Sequence, residues 1–220
     1  MLFKIWLRFF LIWPGLPAIG NPEDADVIIV QAFGRNTYND KELDIVVKII
    51  EKAESELEAI DELIRRKFDP GRPNFELAEQ AKEIADTYNL PIITQWEIGV
   101  ALRMLYPSWL ETHQVLCVWP GREKYLETWI VKEKTYKIMQ QYGWQIPIEL
   151  AHTRQISRSY LIVKLITNVN PIVIPSKAKS FDRKSKQWWI RSWYLWLLRE
   201  ILVKGRFVVL QFLGHLLQKR

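Results

Sequence analysis

The sequence predicts one α/β domain, in which a five-stranded, mainly parallel sheet lies between layers of helices in a Rossmann-like three-layer arrangement. Three observations support this fold class. Short runs of β-branched residues recur along the 220-residue chain, as in strands that helices cover on both faces. Amphipathic segments, with apolar residues every three or four positions, separate these runs. Strand–helix–strand units of this length pair their strands in parallel through right-handed crossovers.

The first half of the chain begins with a strand at residues 26–30, which contains four β-branched residues in a row. After a polar turn, apolar residues at helical spacing predict one long helix over residues 41–67, with an acidic outer face. Two prolines and a glycine in residues 68–73 end that helix. Asn74 is then the predicted N-cap of a helix that ends at Tyr88.

The second half continues the alternation and ends in an aromatic tail. The predicted strands lie at residues 90–94, 115–119, 146–151 and 169–174, and the predicted helices at residues 97–105, 123–142 and 157–167. The tail is predicted to form two helices broken near Gly205. The chain therefore divides into an apolar N-terminal segment (1–20), an α/β core (21–180) and a basic, Trp-rich tail (181–220) that packs on the core.

The N-terminal segment is strongly apolar but too interrupted to span a bilayer. Lys4 and Arg8 break its apolar sequence and Pro14 ends any helix, whereas a spanning helix needs about 20 apolar residues. A helix in a membrane interface and a helix packed on the domain both fit. A secretion signal fits less well, because Arg8 leaves almost no apolar core for one. We therefore expect a cytoplasmic protein, with peripheral membrane association as an open alternative.

Charge is divided unevenly along the chain. Residues 154–220 contain 14 Lys and Arg against two acids, so they carry +12 and residues 1–153 carry −6. The chain also contains 11 Trp, a residue typical of interfaces and cleft walls. Spacing places Trp189, Trp193, Trp196 and Glu200 on one helical face, which favours packing across the sheet. Contact with lipid headgroups is an alternative, while the acidic front of the chain argues against nucleic acid.

Several classes of site are excluded or disfavoured by composition and motifs. The single cysteine, Cys117, allows no intrachain disulfide, and its apolar surroundings in the sequence predict a buried thiol. The three scattered histidines, His113, His152 and His215, do not have the spacing of a metal site, so no metal is expected. The chain also has no phosphate-binding Gly-rich loop, no nucleophile elbow and no zinc-protease motif.

Polar side chains follow the predicted strands at their carboxyl ends. In an open parallel sheet, ligands bind beyond these ends, where loops lead into helix N-termini. The sequence therefore predicts a binding crevice for a small molecule at this edge. Its candidate ligand-binding residues are Gln31, Gly34, Arg35, Asn36, Gln95, Thr128 and Gln155.

Four ionisable residues at the same strand ends are the candidate catalytic residues: His152, Arg158, Glu97 and Glu127. His152 ends a strand, so it is a candidate base or hydrogen-bond donor beside Arg158. A structural histidine with satisfied ring nitrogens is the alternative. Glu97 and Glu127 are a candidate carboxylate pair for general acid–base chemistry or for a hydroxyl-rich or cationic ligand. Two separate exposed glutamates are the alternative.

The chain resembles the YdcF/SanA-like bacterial family, a large group known as a domain of unknown function. The resemblance rests on an Asp-led apolar strand with a glycine turn (residues 26–34), on Glu127-Thr128 before a helix, and on the segment from His152 to Arg158. It covers about residues 25–215. Gln155 stands where the family usually has histidine, and Gln95-Trp96 replaces a glycine pair.

The resemblance implies a Rossmann-like sheet and a polar pocket for a nucleotide-like ligand, S-adenosylmethionine being one example. It also implies a link to envelope or membrane processes in bacteria. Two hypotheses follow. The protein binds a small anionic or nucleotide-like ligand, either as an envelope-related enzyme or without catalysis. Alternatively, it is a non-catalytic protein that docks on a membrane or partner through its tail.

Overall fold

The computed structural model describes residues 16–34, 40–121, 128–167 and 169–202. Five strands form one sheet in the order β3-β2-β1-β4-β5, and every neighbouring pair is parallel. The strands are β1 (Val27–Gln31), β2 (Ile92–Gln95), β3 (Val115–Val118), β4 (Pro147–Ala151) and β5 (Ile172–Val173). The predicted α/β fold with a parallel sheet is confirmed.

Helices cover both faces of the sheet. They are α1 (Asp40–Lys52), α2 (Glu56–Arg65), α3 (Arg72–Tyr88), α4 (Trp96–Leu105), α5 (Pro107–Thr112), α6 (Thr128–Tyr142) and α7 (Ile156–Thr167), followed by α8 (193–202); short 3-10 turns lie at Pro22–Asp24 and Trp188–Ile190. The larger core joins one sheet face to α1–α4. The smaller core joins the other face to α6. This arrangement is the three-layer packing that a sheet buried on both faces requires.

The order of the strands places a switch point between β1 and β4. From β1 the chain builds outward to β2 and β3, then returns to the other side of β1 for β4 and β5. Ile29 of β1 accordingly pairs with Ile93 of β2 on one side and with Glu149 of β4 on the other. In folds with this kind of strand order, the connections that leave the two strands at the switch point run in opposite directions, and a crevice forms between them.

The single helix predicted over residues 41–67 is wrong, because the chain breaks into α1 and α2. Ser55 caps α2 by accepting a hydrogen bond from the Glu58 backbone N–H at 3.2 Å, and the Glu58 carboxylate accepts one from the Glu54 N–H at 2.7 Å. This pairing of Ser with a Glu three residues later is close to a capping box. The apolar spacing continues through the break, so periodicity alone does not reveal it.

Asn74 was predicted as an N-cap, and this is also wrong. The helix α3 begins at Arg72, with Gly71 before it, so Asn74 lies inside the first turn. Its side chain is buried and bonds to other loops instead of to its own helix. Pro73 is tolerated in the first turn, because its missing N–H would have no helical acceptor there.

The two ends of the chain are described only in part. Residues 1–15 and 203–220 lie outside the described residues, and with them the predicted break near Gly205. Ile19 makes an isolated antiparallel bridge to Val173, so part of the segment predicted as 1–20 borders β5. No helix within the described ranges has the length and apolar character needed to cross a membrane.

Candidate functional site at the carboxyl edge

The loop that leaves β1 is held by side chains from its neighbours. The Gln95 Oε1 accepts a hydrogen bond from the Ala32 N–H at 2.8 Å, and the Asn74 Oδ1 accepts one from the Phe33 N–H at 2.8 Å. The Asn74 Nδ2 donates to the Gly34 carbonyl at 3.1 Å. Gln95, predicted to bind ligand, therefore has its side-chain oxygen committed to backbone. Asn74 was missed as a residue of this edge, and its place after a Pro-rich loop had suggested only capping.

His152, directly after β4, is fully buried and stacks on Phe33 with ring centroids 3.7 Å apart. Its Nε2 bonds to the Ser180 carbonyl at 3.0 Å, and its Nδ1 accepts from the Arg154 N–H at 3.2 Å. These partners require a neutral ring protonated at Nε2. Burial lowers the pKa of His152 to about 4, although the Ser180 carbonyl opposes this. With both nitrogens engaged, the geometry favours a structural histidine over the proposed base.

Two polar side chains lie at the start of α7, Gln155 directly before the helix and Arg158 in its first turn. The Gln155 side chain is buried, and its Oε1 has no hydrogen-bond partner among the described residues. Arg158 forms an ion pair with Glu200 through its Nη1, while its buried Nε has no partner in the same part of the chain. Native proteins leave few buried polar atoms unsatisfied. Two such atoms, three residues apart at the start of α7, mark this part of the edge as the polar part of the site.

The tail crosses the carboxyl edge and covers it. Phe181 packs edge-on against the rings of Phe33 and His152, at centroid distances of 5.8 and 5.4 Å. Trp196 is buried in the larger core. Glu200, also buried, supplies the carboxylate that meets Arg158. The described part of the tail therefore contacts the core through Phe181, Trp196 and Glu200. The predicted single face is wrong, since Trp193 is exposed and Trp189 belongs to the preceding 3-10 turn.

Gly34 allows the tail to approach β1 closely. Its φ is +85°, and a Cβ built there would lie 2.7 Å from the Ile190 Cγ2. Gly34 is thus required by its backbone conformation and by contact with the tail. The contact shown for Gly34 is a packing contact with Ile190, and its role in ligand binding stays a prediction.

We expect Gly34→Ala to loosen the tail, with Gly143→Ala as the matched control. Both glycines have positive φ, but a Cβ at Gly143 meets nothing within 4 Å. Each variant therefore loses about 1–2 kcal/mol from the left-handed backbone, and only Gly34→Ala also displaces Ile190. Urea unfolding and limited proteolysis of the tail measure the difference. Equal loss of stability and equal proteolysis in the two variants would contradict the proposed contact.

A buried polar cluster lies beneath the first turn of α7, and the sequence did not reveal it. Lys132 of α6 forms an ion pair with Glu149 of β4, and both side chains are fully buried. The Ser159 hydroxyl lies 2.5 Å from the Glu149 Oε1 and 2.5 Å from the Gln31 side-chain oxygen. One hydroxyl proton cannot serve both, so we assign the Gln31 amide nitrogen to face Ser159, which then donates to Glu149. Gln31 thus belongs to this cluster. The one signal in the sequence was Glu149, a charged residue within an otherwise apolar strand.

The remaining predicted residues fall into two groups. Arg35, Asn36 and Glu127 lie outside the described residues, and Thr128 begins α6 half-buried. Glu97 is buried in the first turn of α4, where its charge helps to raise the pKa of the Cys117 thiol of β3. Burial, with Glu56 and Glu97, raises the pKa of the Cys117 thiol well above its usual range, so Cys117 is the buried thiol that was predicted.

Glu97 and Arg158 consequently lie toward different halves of the edge. The contact that locates Glu97 is with β3, whereas Arg158 follows β4 and pairs with the tail. Strands β2 and β1 separate β3 from β4 in the sheet. The described residues also contain no group of three or more side chains suited to a metal ion. Glu127, the other member of the predicted carboxylate pair, lies outside the described residues, so that pair stays a prediction.

Comparisons with family models, with curated proteins and with solved structures found no match to this chain. The resemblance to the YdcF/SanA-like family therefore stays a prediction from the sequence. The functional interpretation depends on the geometry of the carboxyl edge.

Proposed function

We propose that this protein binds a small anionic molecule at the carboxyl edge of its sheet, beside β4, with Arg158 and Gln155 as the binding residues. The observation that carries the proposal is a pair of buried atoms at the start of α7, Arg158 Nε in its first turn and Gln155 Oε1 directly before it, which have no hydrogen-bond partner among the described residues. The position agrees with the switch point between β1 and β4, where folds of this order bind ligands.

Arg158 suits an anion because its guanidinium group has two hydrogen-bonding edges. Its Nη1 is paired with Glu200, and its Nε belongs to the other edge. A carboxylate or phosphate binds such an edge with two parallel hydrogen bonds. The first turn of α7 adds the positive end of a helix dipole. Glu200 is itself a carboxylate paired with Arg158, which supports an anionic ligand at this position.

Gln155 further restricts the chemical class of the ligand. Its side-chain oxygen has no donor among the described residues, so it is placed to accept a hydrogen bond from a hydroxyl or an N–H group of a ligand. A molecule that carries an anionic group and a donor nearby meets both requirements. Nucleotide-like ligands and sugar phosphates have this combination. The committed nitrogens of His152 give no support to base catalysis, so we propose binding and no reaction.

Isothermal titration with four probes tests the proposal: inorganic phosphate, AMP, glucose 6-phosphate and S-adenosylmethionine. For whichever probe binds the wild-type protein, Arg158→Gln should weaken binding by about tenfold to a hundredfold, as expected for the loss of a charge-assisted hydrogen bond. Glu200→Gln should tighten it by about tenfold, because no neighbouring carboxylate then neutralises the charge of Arg158 or repels the anionic ligand. Lys164→Gln is the matched control, because it removes an exposed charge from the other end of α7.

The two edge variants separate binding from stability. Both should lower the melting temperature without ligand, since each removes the ion pair between Arg158 and the buried Glu200, yet they should change affinity in opposite directions. The proposal fails if none of the probes binds wild type or Glu200→Gln, or if Arg158→Gln binds as tightly as Lys164→Gln.

A further inference from the structure

The outer side of α8 is apolar, the reverse of an ordinary surface helix. Its exposed residues are Trp193 (53%), Tyr194 (59%), Leu198 (50%), Ile201 (59%) and Leu202 (62%). At 100° per residue these five occupy one half of the helix. The charged residue Glu200 points inward instead, as does Trp196. Surface helices of soluble domains place polar residues outward, and a contiguous exposed apolar patch marks an interaction surface.

Exposed cations precede this apolar face in the same segment. Arg183, Lys184, Lys186 and Arg191 are exposed, and Trp188 lies among them with 42% of its surface exposed. The acids of this segment are turned toward the protein. Asp182 accepts from the Arg72 N–H at 3.1 Å, and Glu200 pairs with Arg158. The solvent side of residues 183–202 therefore combines positive charge with Trp, Tyr, Leu and Ile.

We infer that the outer face of α8 docks on an anionic lipid surface. Trp and Tyr favour the headgroup level because one end of each ring is apolar and the other polar. Leu and Ile enter the acyl boundary, and the cations meet anionic headgroups. Residues 203–220 continue the same composition in the sequence, with four Lys and Arg and no acid.

A second copy of the chain fits this surface less well than lipid does. A symmetric dimer through α8 would bring the same cationic segment of both copies together, and juxtaposed like charges oppose association. An anionic bilayer has the complementary sign. The surface is distinct from the carboxyl edge, so this inference does not depend on the proposed ligand.

Co-sedimentation of the full chain with vesicles tests the inference. We expect binding to vesicles of phosphatidylcholine with phosphatidylglycerol and little binding to phosphatidylcholine alone. The double variant Leu198→Glu/Ile201→Glu should lower the partition coefficient by more than about tenfold. Ile45→Glu/Met104→Glu is the matched control, because it adds the same charges at exposed apolar positions outside α8. Neutralising Lys184 and Lys186 to Gln should cost about fivefold per charge at low salt.

Three outcomes would overturn the inference. They are no sedimentation with anionic vesicles, equal sedimentation of the two Glu double variants, and a dimer in light scattering that needs Leu198 and Ile201 while vesicles are not bound. Circular dichroism melting checks that Leu198→Glu/Ile201→Glu remains folded, as expected for exposed positions. Leu198→Glu/Ile201→Glu should leave probe binding at the carboxyl edge unchanged, because both side chains lie on the exposed side of α8; this keeps the result separate from ligand binding at the edge.

Discussion

Replacing Glu149 by Leu should lower the free energy of unfolding by about 3–5 kcal/mol, the usual cost of leaving one partner of a buried ion pair alone. The Lys132 ammonium has no exposure to water that would compensate for the loss of its partner. Burial already lowers the pKa of Lys132, and only Glu149 opposes that shift. Urea unfolding at neutral pH measures the loss.

The pH dependence of this variant gives a second measurement. When the pKa of a lysine is lower in the folded protein than in the unfolded chain, the free energy of unfolding decreases as pH falls, because folding then requires the lysine to release a proton. Without Glu149 the pKa of Lys132 falls further. The destabilisation of Glu149→Leu should therefore be smaller at pH 9.5 than at pH 6, by about 1 kcal/mol or more.

Two comparisons make the expectation specific to a buried pair. Lys132→Met/Glu149→Leu should recover most of the lost stability, because no unpaired charge remains in the core. Glu83→Leu should cost less than about 1 kcal/mol, since its pair with Lys177 is mostly exposed, at 60% and 65% of the two side chains. A double variant as unstable as Glu149→Leu alone would show that packing, not charge, determines the loss.

The sheet could be predicted from local sequence because its strands are buried on both faces. The run from Val27 to Val30 has no polar residue to satisfy, and such runs separated by helices admit few topologies. The ends of the helices were harder to predict from the sequence. The apolar spacing passes through Ser55 unchanged, and only its bond with Glu58 reveals the break. Asn74 has the residue type of a cap but is used by the β1 loop, 40 residues away along the chain.

The site was less predictable because its contacts join distant parts of the chain. Residue types at strand ends identified Gln155 and Arg158, but the pairing of Arg158 with Glu200 spans 42 residues. No periodicity predicts which tail residue reaches the edge. Lys132 and Glu149 likewise belong to different elements, and each alone is typical of a solvated surface. Sequence indicates where an edge is polar, whereas packing decides which groups are already satisfied.

Lowering the pH from 7 to 5 should reduce the free energy of unfolding by about 2 kcal/mol through His152 alone. The pKa of this histidine is about 4 in the folded protein, against an ordinary value of 6.5. The unfolded chain therefore binds a proton between these values that the folded protein does not. The contribution of His152 is fully present above pH 6.5, declines as pH falls through this window and levels off below pH 4. Urea unfolding at pH 7, 6, 5 and 4.5 measures it.

Substitution of the two described histidines separates this effect from general acid denaturation. His152→Gln cannot take up a proton, so its stability should be lower at pH 7 but should lose about 2 kcal/mol less between pH 7 and 5. His113→Gln is the control, because that side chain is 36% exposed and stacks on Trp109 at the surface. It should keep the wild-type pH dependence. If His152→Gln keeps it too, the ring is not held neutral by the Ser180 carbonyl and the Arg154 N–H, and the structural assignment of His152 fails. A base at the end of β4 would then have to be considered again.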